Sequence, residues 1–252
     1  MIRSAAADLP PLFLQMKTIR IGITGASGFI GRHLGGRIMV SEELEQVPFQ
    51  REWFGQPERM KAFLASCDAV VHLAAVSRHE DGDFLYRVNV AMTQALADAA
   101  EMLDAPPVIC LGSTTHIAKQ LPYHASKRES RRSLEASRAE CVTLLMPNVF
   151  GPYSRPFFNS VVSTFCRIAA DGGRPEKIDH AELKLTYIDT LCARILNAVR
   201  SQRKQTVLEF PHEHTVFLPD LWRLLEHFAR GGAPDPASCF ELQLWNTFRS
   251  YR

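Results

Sequence analysis

A doubly wound α/β fold, one mostly parallel sheet with helices on both faces and a small C-terminal lobe, is the architecture this chain predicts. Three observations carry it. Short apolar runs rich in β-branched residues alternate with longer amphipathic stretches from Lys17 to Met146, which is the pattern of strand-helix-strand units. A glycine-rich turn, Gly25-Ala26-Ser27-Gly28-Phe29-Ile30-Gly31, joins the first strand to the first helix. A hydroxyl cluster, Ser113-Thr114-Thr115, follows a buried run and precedes Tyr123-His124-Ala125-Ser126-Lys127.

Each element has its reason. Lys17 to Thr24 concentrates Ile19, Ile21 and Ile23 and reads as a buried first strand. The glycine turn and a helix continuing over Arg32 to Val40 complete the order strand, turn, helix that a Rossmann dinucleotide site requires. Gly25 makes the tight turn, Gly28 lets the backbone approach a pyrophosphate, and Gly31 lets helix and strand pack closely. Backbone N–H groups at Ser27, Phe29 and Ile30 then face the phosphates. A short second strand is expected to end around Gln46 to Arg51, weakened by Pro48. Pro57 to Ser66 predicts a helix and Asp68 to Ala75 a buried strand, whose small end, Leu73-Ala74-Ala75, leaves room for a cofactor across the sheet edge. His72 in that strand is expected to be a packed core histidine. Phe84 to Leu103 predicts a long helix containing Asn89, stopped by Pro106-Pro107 ahead of the strand Val108 to Leu111. Tyr123 opens a helix to about Arg138, and Cys141 to Met146 is the next strand. Leu191 to Arg200 and Leu218 to Ala229 have helical periodicity, and Gly231 to Pro236 breaks the chain. Residues 1–16 are expected to be a flexible extension, with Met16 an alternative start, residues 17–155 the nucleotide-binding core, and residues 156–252 mainly the lobe, with core segments returning near 183–200. Phe240, Leu242, Leu244, Trp245 and Phe248 make the tail apolar enough to pack on the lobe or on a partner subunit.

Composition narrows the function. The 252 residues carry a net charge of +2, which gives no electrostatic case for nucleic acid or an anionic membrane. No run approaches the ~20 apolar residues of a membrane span. Six cysteines without paired spacing indicate neither a disulfide framework nor a zinc site, and fit a reducing cytoplasm. Pro211-His212-Glu213-His214 is read as a polar loop, so no metal is expected.

The chemistry converges on the helix of Tyr123. A tyrosine and a lysine four apart share one helix face, so the ammonium of Lys127 can sit beside the phenol of Tyr123. A neighbouring cation favours the phenolate and should bring the phenol down from its usual pKa of about 10. Ser113 or Thr114, at the carboxyl end of a strand, can hold a substrate carbonyl or alcohol against that phenol. Arg32 and Arg51 could meet the extra phosphate of NADP, whereas Glu52 is the one acid near the site where NAD binders hold the ribose. NADP is the expected cofactor, with NAD the alternative.

Thr24 to Gly31, Asp68 to Ala75, the Ser/Thr cluster, Pro122-Tyr123 with Ser126-Lys127, and Pro147-Asn148-Val149-Phe150-Gly151-Pro152 occur in an order that resembles the extended short-chain dehydrogenase/reductase family, in its NAD-dependent epimerase/dehydratase branch. Asn159-Ser160-Val161, Thr164-Phe165-Cys166 and Leu185-Thr186-Tyr187-Ile188-Asp189 are similar to the reductases of that branch that act in capsular polysaccharide synthesis. The resemblance implies NADPH-dependent reduction of the keto group of a nucleotide-linked 4-ketosugar. Tyr123 would protonate the carbonyl oxygen, Lys127 would tune it and hold the nicotinamide ribose, and Thr114 would hydrogen-bond the substrate oxygen, with Ser113 the second choice. Asn148 would meet the sugar nucleotide's phosphates, Pro147 would lie beside the carboxamide, and Asn89 would support. Thr115 and Asn159 are placed with the substrate by the same likeness. Family members pair through helices of the Rossmann half, which implies a homodimer.

The chain also departs from the family. Leu144-Leu145-Met146 lacks an arginine expected near the Pro-Asn pair, and the arginine expected before Tyr187 is replaced by Lys184, which keeps the charge without the bidentate grip. The metal-binding cupin module of the capsular enzymes is not expected within these 252 residues. Thr115-His116 stand where the sugar dehydratases carry an Asp-Glu pair, which disfavours dehydration. A 4-epimerase with retained NAD and a non-catalytic NADP or sugar-nucleotide sensor remain as alternatives.

Overall fold

The computed structural model describes residues 18–201 and 207–252, so the extension expected at 1–16 lies outside the described residues. In chain order the elements are β1 (Ile19–Thr24), α1 (Phe29–Met39), β2 (Leu44–Val47), α2 (Pro57–Ala65), β3 (Ala69–His72), α3 (Gly82–Glu101), β4 (Val108–Thr114), α4 (Pro122–Glu135), β5 (Cys141–Met146), β6 (Asn148–Phe150), α5 (Val161–Ala170), β7 (Glu182–Tyr187), α6 (Ile188–Ser201), β8 (Val207–Glu209), β9 (His214–Phe217), α7 (Leu218–Ala229) and α8 (Cys239–Arg249).

Six strands form the main sheet in the order β2-β1-β3-β4-β5-β8, and every pairing in it is parallel. The chain steps outward from β1 to β2 and then crosses back to β3, so the order reverses between β1 and β3. A ligand crevice belongs at the carboxyl ends of those two strands. Alternation along the strands feeds two cores. Val70, Ile109 and Leu111 meet Met60, Phe63, Leu64, Leu96 and Leu134 of α2, α3 and α4 on one face. Ile21, Ile23, Val71, Cys110 and Leu144 meet Leu34, Ile38, Ile195 and Leu196 of α1 and α6 on the other. A buried side chain of this size stabilises by roughly 1.5–3 kcal/mol relative to exposure.

That second core continues into the lobe, where α5, α7 and α8 pack on the small sheet β6-β7-β9. Phe150, Phe228 and Phe248 are fully buried there. The core segments that return extend past residue 200, because β8 pairs with β5 over Thr143 to Leu145. Of the apolar tail, Leu244 and Phe248 sit in the core, whereas Leu242 is exposed.

One expectation is met and one corrected. The second strand runs Leu44–Val47 and so ends within the expected Gln46 to Arg51. Pro48, which has no N–H to give a parallel ladder, stands immediately after it, and Arg51–Gly55 form a short 3₁₀ turn. The stretch 211–214 is not all loop. His214 opens β9 with Nε2 2.7 Å from Gln243 Oε1. The Glu213 carboxylate accepts from the Tyr187 N–H and the Thr190 hydroxyl, both at 2.8 Å, and so satisfies groups at the start of α6.

Candidate active site

The carboxyl ends of β1 and β3 open onto a cleft of about 710 Å³ that continues into a second space of about 510 Å³. Gly25, Ser27, Gly28, Leu73 and Ala75 line both. Gly25 has φ +80, and a Cβ on it would stand 2.7 Å from the Ala74 backbone nitrogen. The crossover of the chain therefore requires glycine twice over, by conformation and by space. A Cβ on Gly31 would fall 2.3 Å from the Gly25 carbonyl oxygen, so helix and turn touch through bare backbone. Gly28 is different. Its φ of −73 suits any residue, and the demand for a bare backbone there comes from the cleft it faces.

Gly28 is the N-cap of α1, with no side-chain cap and no acidic residue in the first turn. The first N–H groups of α1 therefore lie uncapped at the cleft wall formed by Gly28, Phe29, Ile30, Gly31 and Arg32, where the helix dipole favours an anion. These residues fit a dinucleotide's pyrophosphate. The second space, bordered by Phe49, Arg51, Phe54, Ala74 and Met92, has the apolar walls and single cation that suit the adenosine end.

Across the cleft stands α4, whose Pro122 occupies the first turn without loss of a helical hydrogen bond. Tyr123 and Lys127 both reach the cleft wall. Lys127 is 3% exposed, with Nζ 5.8 Å from the Tyr123 ring centre. Burial pulls its ammonium down to about 8. Burial pushes the Tyr123 phenol up, against the lowering expected from a neighbouring cation. The lost hydration of a phenolate is the cause of that shift, so the phenol holds its proton.

A buried polar chain fastens this helix to the glycine turn. His72 Nδ1 lies 2.6 Å from Thr24 Oγ1 and its Nε2 3.0 Å from Thr93 Oγ1, and Thr93 donates on to Ser130 of α4 at 2.9 Å. Burial, helped by the charge of Lys127, pushes His72 down to about 3. The ring is neutral, one nitrogen donating and the other accepting. Asn89 accepts from the Val76 N–H at 2.7 Å, donates to the Val76 carbonyl at 2.9 Å and donates to Ser126 Oγ at 3.2 Å. Ser126 in turn donates to the Tyr123 carbonyl at 2.7 Å.

The remaining wall comes from the irregular segment between β6 and α5. Ser154, Arg155, Phe158, Asn159 and Ser160 line the cleft. Asn159 Nδ2 donates to Ser77 Oγ at 2.6 Å and Arg78 to the Phe158 carbonyl at 3.0 Å, which ties the segment to the loop after β3. Tyr153 and Phe157 flank it with φ of 64 and 57, conformations that cost bulky residues energy.

The sequence-derived residues divide. Gly25, Ser27, Gly28, Phe29, Ile30, Gly31, Arg32, Leu73, Ala75, Tyr123, Lys127 and Asn159 share the main cleft, and Arg51 and Ala74 border the second space. Ser113 is 3% exposed and its Oγ has no hydrogen-bond partner. Thr114 Oγ1 accepts from the His116 N–H at 3.1 Å, and the Thr115 N–H bonds the Met146 carbonyl. From that strand end it is Gly112 that lines the cleft. Pro147 is buried behind Met146 and Val149, which form the wall instead. Asn148 is exposed and pairs with Leu185 in the small sheet. Lys184 is exposed on β7 opposite Thr215, away from the cleft, because alternation buries Leu185 and turns its predecessor outward. Arg32 donates to the Tyr153 carbonyl at 3.0 Å and so braces the lobe wall. Sequence reasoning missed Ser77, Met146, Ser154, Arg155 and Phe158. The one usable signal was the N-cap pattern at Ser160, which accepts from the Ser163 N–H and marks where the wall ends.

Among the described residues no three potential metal ligands cluster, and no helix is long and apolar enough to cross a membrane.

Comparison with known proteins bears on the same features. The UDP-2-acetamido-2,6-beta-L-arabino-hexul-4-ose reductase of Pseudomonas aeruginosa is 28% identical over 216 residues, covering 83% of this chain and 58% of that protein. The capsular polysaccharide assembling protein CapF of Staphylococcus aureus superposes with a TM-score of 0.74 at 26% identity, over 92% of this chain and 65% of that one. The chain thus spans less than two thirds of either relative. RMD from Pseudomonas aeruginosa, complexed with NADPH, shares the fold at a TM-score of 0.76 and 16% identity, over 93% of this chain and 99% of that one. The profile of the NAD dependent epimerase/dehydratase family matches residues 21–205, the span that holds the glycine turn, the Tyr123 helix and the lobe wall, and the chain belongs to that family.

Proposed function

We propose that the chain is an NADPH-dependent reductase of the keto group of a nucleotide-linked 4-ketosugar, acting in surface polysaccharide precursor synthesis. The observation that carries this reading is the shared cleft wall of Tyr123 and Lys127, opposite an uncapped helix N-terminus that suits a dinucleotide pyrophosphate. The bound dinucleotide supplies the hydride that reduces the keto carbon to an alcohol. Tyr123 delivers its phenolic proton to the carbonyl oxygen, and a phenol pushed up by burial is in the right state to donate near neutral pH. Lys127, charged below about pH 8, holds ribose hydroxyls and steadies the phenolate left behind. Because the Ser113 hydroxyl is buried, the hydroxyl of Thr114 is the one that turns the substrate oxygen toward Tyr123.

Preference for NADPH over NADH rests on Arg51 at the adenosine end, because Arg32 is occupied by the Tyr153 carbonyl. The same reading takes the enzyme as a cytoplasmic homodimer, and its described thiols are free. Oxidation of NADPH and NADH, followed at 1:1 stoichiometry with UDP-, GDP- and dTDP-linked 4-ketosugars, is the test. Turnover is expected with at least one, and Tyr123→Phe should lower kcat by about 10² to 10⁴ while still binding NADPH. Interconversion of 4-hydroxy epimers without net NADPH oxidation identifies a 4-epimerase instead. Cofactor binding with no turnover of either kind leaves only a sensor.

A further inference from the structure

Pro152, Tyr153 and Ser154 open the irregular segment of the lobe wall, and the carbonyl of each accepts from a side chain of another element. His33 Nε2 donates to Pro152 and Arg32 donates to Tyr153, both at 3.0 Å and both from α1. The Tyr251 hydroxyl, just past the end of α8, donates to Ser154. Three successive peptide groups are thus gripped by two helices, one from the cofactor half and one from the lobe. The backbone there requires it. Tyr153 stands at φ 64 and Phe157 at φ 57, and bulky residues keep such a conformation only where their surroundings over-determine it.

Of these grips, the one made by Tyr251 is the best enclosed. Both Ser154 and Tyr251 are buried, whereas Tyr153 is exposed. Burial pushes the Tyr251 phenol up to about 12, so it keeps the proton that it donates. Tyr251 is itself held in place: its N–H bonds the Phe248 carbonyl at 3.0 Å, and Arg167 of α5 donates to its carbonyl at 3.1 Å with the guanidinium 5.8 Å from the ring centre. The neighbouring Ser250 Oγ accepts from the Tyr153 N–H at 3.2 Å. Ser154 lines the cleft, and Arg155, Phe158, Asn159 and Ser160 continue the wall from it, whereas Tyr251 is not among the lining residues. Its hydroxyl therefore acts on the place of the wall and not on what is bound against it.

We propose that Tyr251 is a positioning residue for the substrate: from outside the cleft its hydroxyl fixes the Ser154 carbonyl, and with it the wall against which the nucleotide-sugar lies. This rests on the reading of the chain as a nucleotide-sugar enzyme. A buried carbonyl that loses its donor shifts toward another donor or toward water, and a shifted wall weakens ground state and transition state alike. The loss then falls on KM and spares kcat.

The experiment sets Tyr251→Phe, which keeps the ring beside Arg167, against Phe228→Leu in the lobe core. Tyr251→Phe should raise KM for the ketosugar about 3- to 10-fold, with kcat within about twofold and NADPH affinity unchanged, since α1 is untouched. Hydrogen exchange of the NADPH-loaded proteins, read by mass spectrometry, should show residues 153–160 exchanging faster in this variant while α1 and α7 match wild type. Phe228→Leu should lower Tm and speed exchange in α7 without raising KM, which separates a misplaced wall from a weakened lobe. The assignment is overturned if Tyr251→Phe leaves either KM or the exchange of 153–160 as in wild type, or if Phe228→Leu raises KM equally. A wild type that turns over no nucleotide-4-ketosugar removes the reductase reading, and the exchange pattern then decides by itself whether Tyr251 holds the wall.

Discussion

The two walls of the cleft are made in opposite ways. The β1-α1 side is backbone: glycines in contact, an uncapped helix start, and almost no side chain that could be exchanged for another. The lobe side is side chain on irregular backbone: Arg155, Phe158 and Asn159 on a segment between β6 and α5, held by single hydrogen bonds and two left-handed residues. The contrast teaches that the first wall admits one geometry and hence one kind of cofactor, while the second can be rewritten residue by residue to change what is bound against it.

Perturbations of each wall should differ accordingly. The largest effect is expected at Lys127, which lines the same cleft from α4. A buried ammonium with its pKa pulled from 10.5 to about 8 costs up to about 3 kcal/mol of stability while it stays charged. Lys127→Met should therefore raise stability at pH 7 by about that much and abolish turnover. Between pH 8 and 10.5 the unfolded chain binds the proton that the folded chain has released, so wild-type stability gains on the variant and the gap closes. Urea unfolding of both proteins across pH 7 to 10.5 reads this directly, and a gap independent of pH would show that Lys127 is solvated. Next is Gly31→Ala on the backbone wall. A Cβ 2.3 Å from the Gly25 carbonyl forces the turn away from α1 and should cost about 1–3 kcal/mol in stability. It should also weaken NADPH at least tenfold, measured by fluorescence titration; unaltered affinity would mean the turn yields and the contrast between walls fails. Smallest is Phe157→Gly on the lobe wall. Phe157 is 63% exposed with φ 57, so glycine should relieve strain and stabilise by about 1 kcal/mol or less, a rise of roughly 2–4 °C in Tm. A drop in Tm would instead assign the ring a packing role.

The same division explains what could be read from sequence. The glycine turn, the buried strands Ala69–His72 and Cys141–Met146, and Tyr123 with Lys127 were legible because periodicity and turn chemistry act locally. His72 was correctly expected in the core, though its hydrogen bonds to Thr24 and Thr93 were not foreseen. The direction of the Tyr123 shift was not legible either, since spacing along a helix says nothing of how deeply the phenol is buried. Asn148 and Lys184 were misplaced because one lies exposed on a strand of the small sheet and the other on the outward face of its neighbour, a matter of register that no local signal fixes. Arg155 left no trace at all, since an arginine in an irregular segment has no period and its neighbours are brought to it only by tertiary contact.

One hydrophobic interior runs unbroken from Ile21 and Leu34 beneath the main sheet to Leu225, Phe228 and Phe248 in the lobe. Halves that share an interior have no seam along which to swing apart. Opening of the cleft between the Ser77 loop and the Asn159 segment then takes only the release of two side-chain hydrogen bonds, Asn159 to Ser77 and Arg78 to the Phe158 carbonyl, which is far cheaper than any hinge. For the same reason heat should melt both halves in one transition.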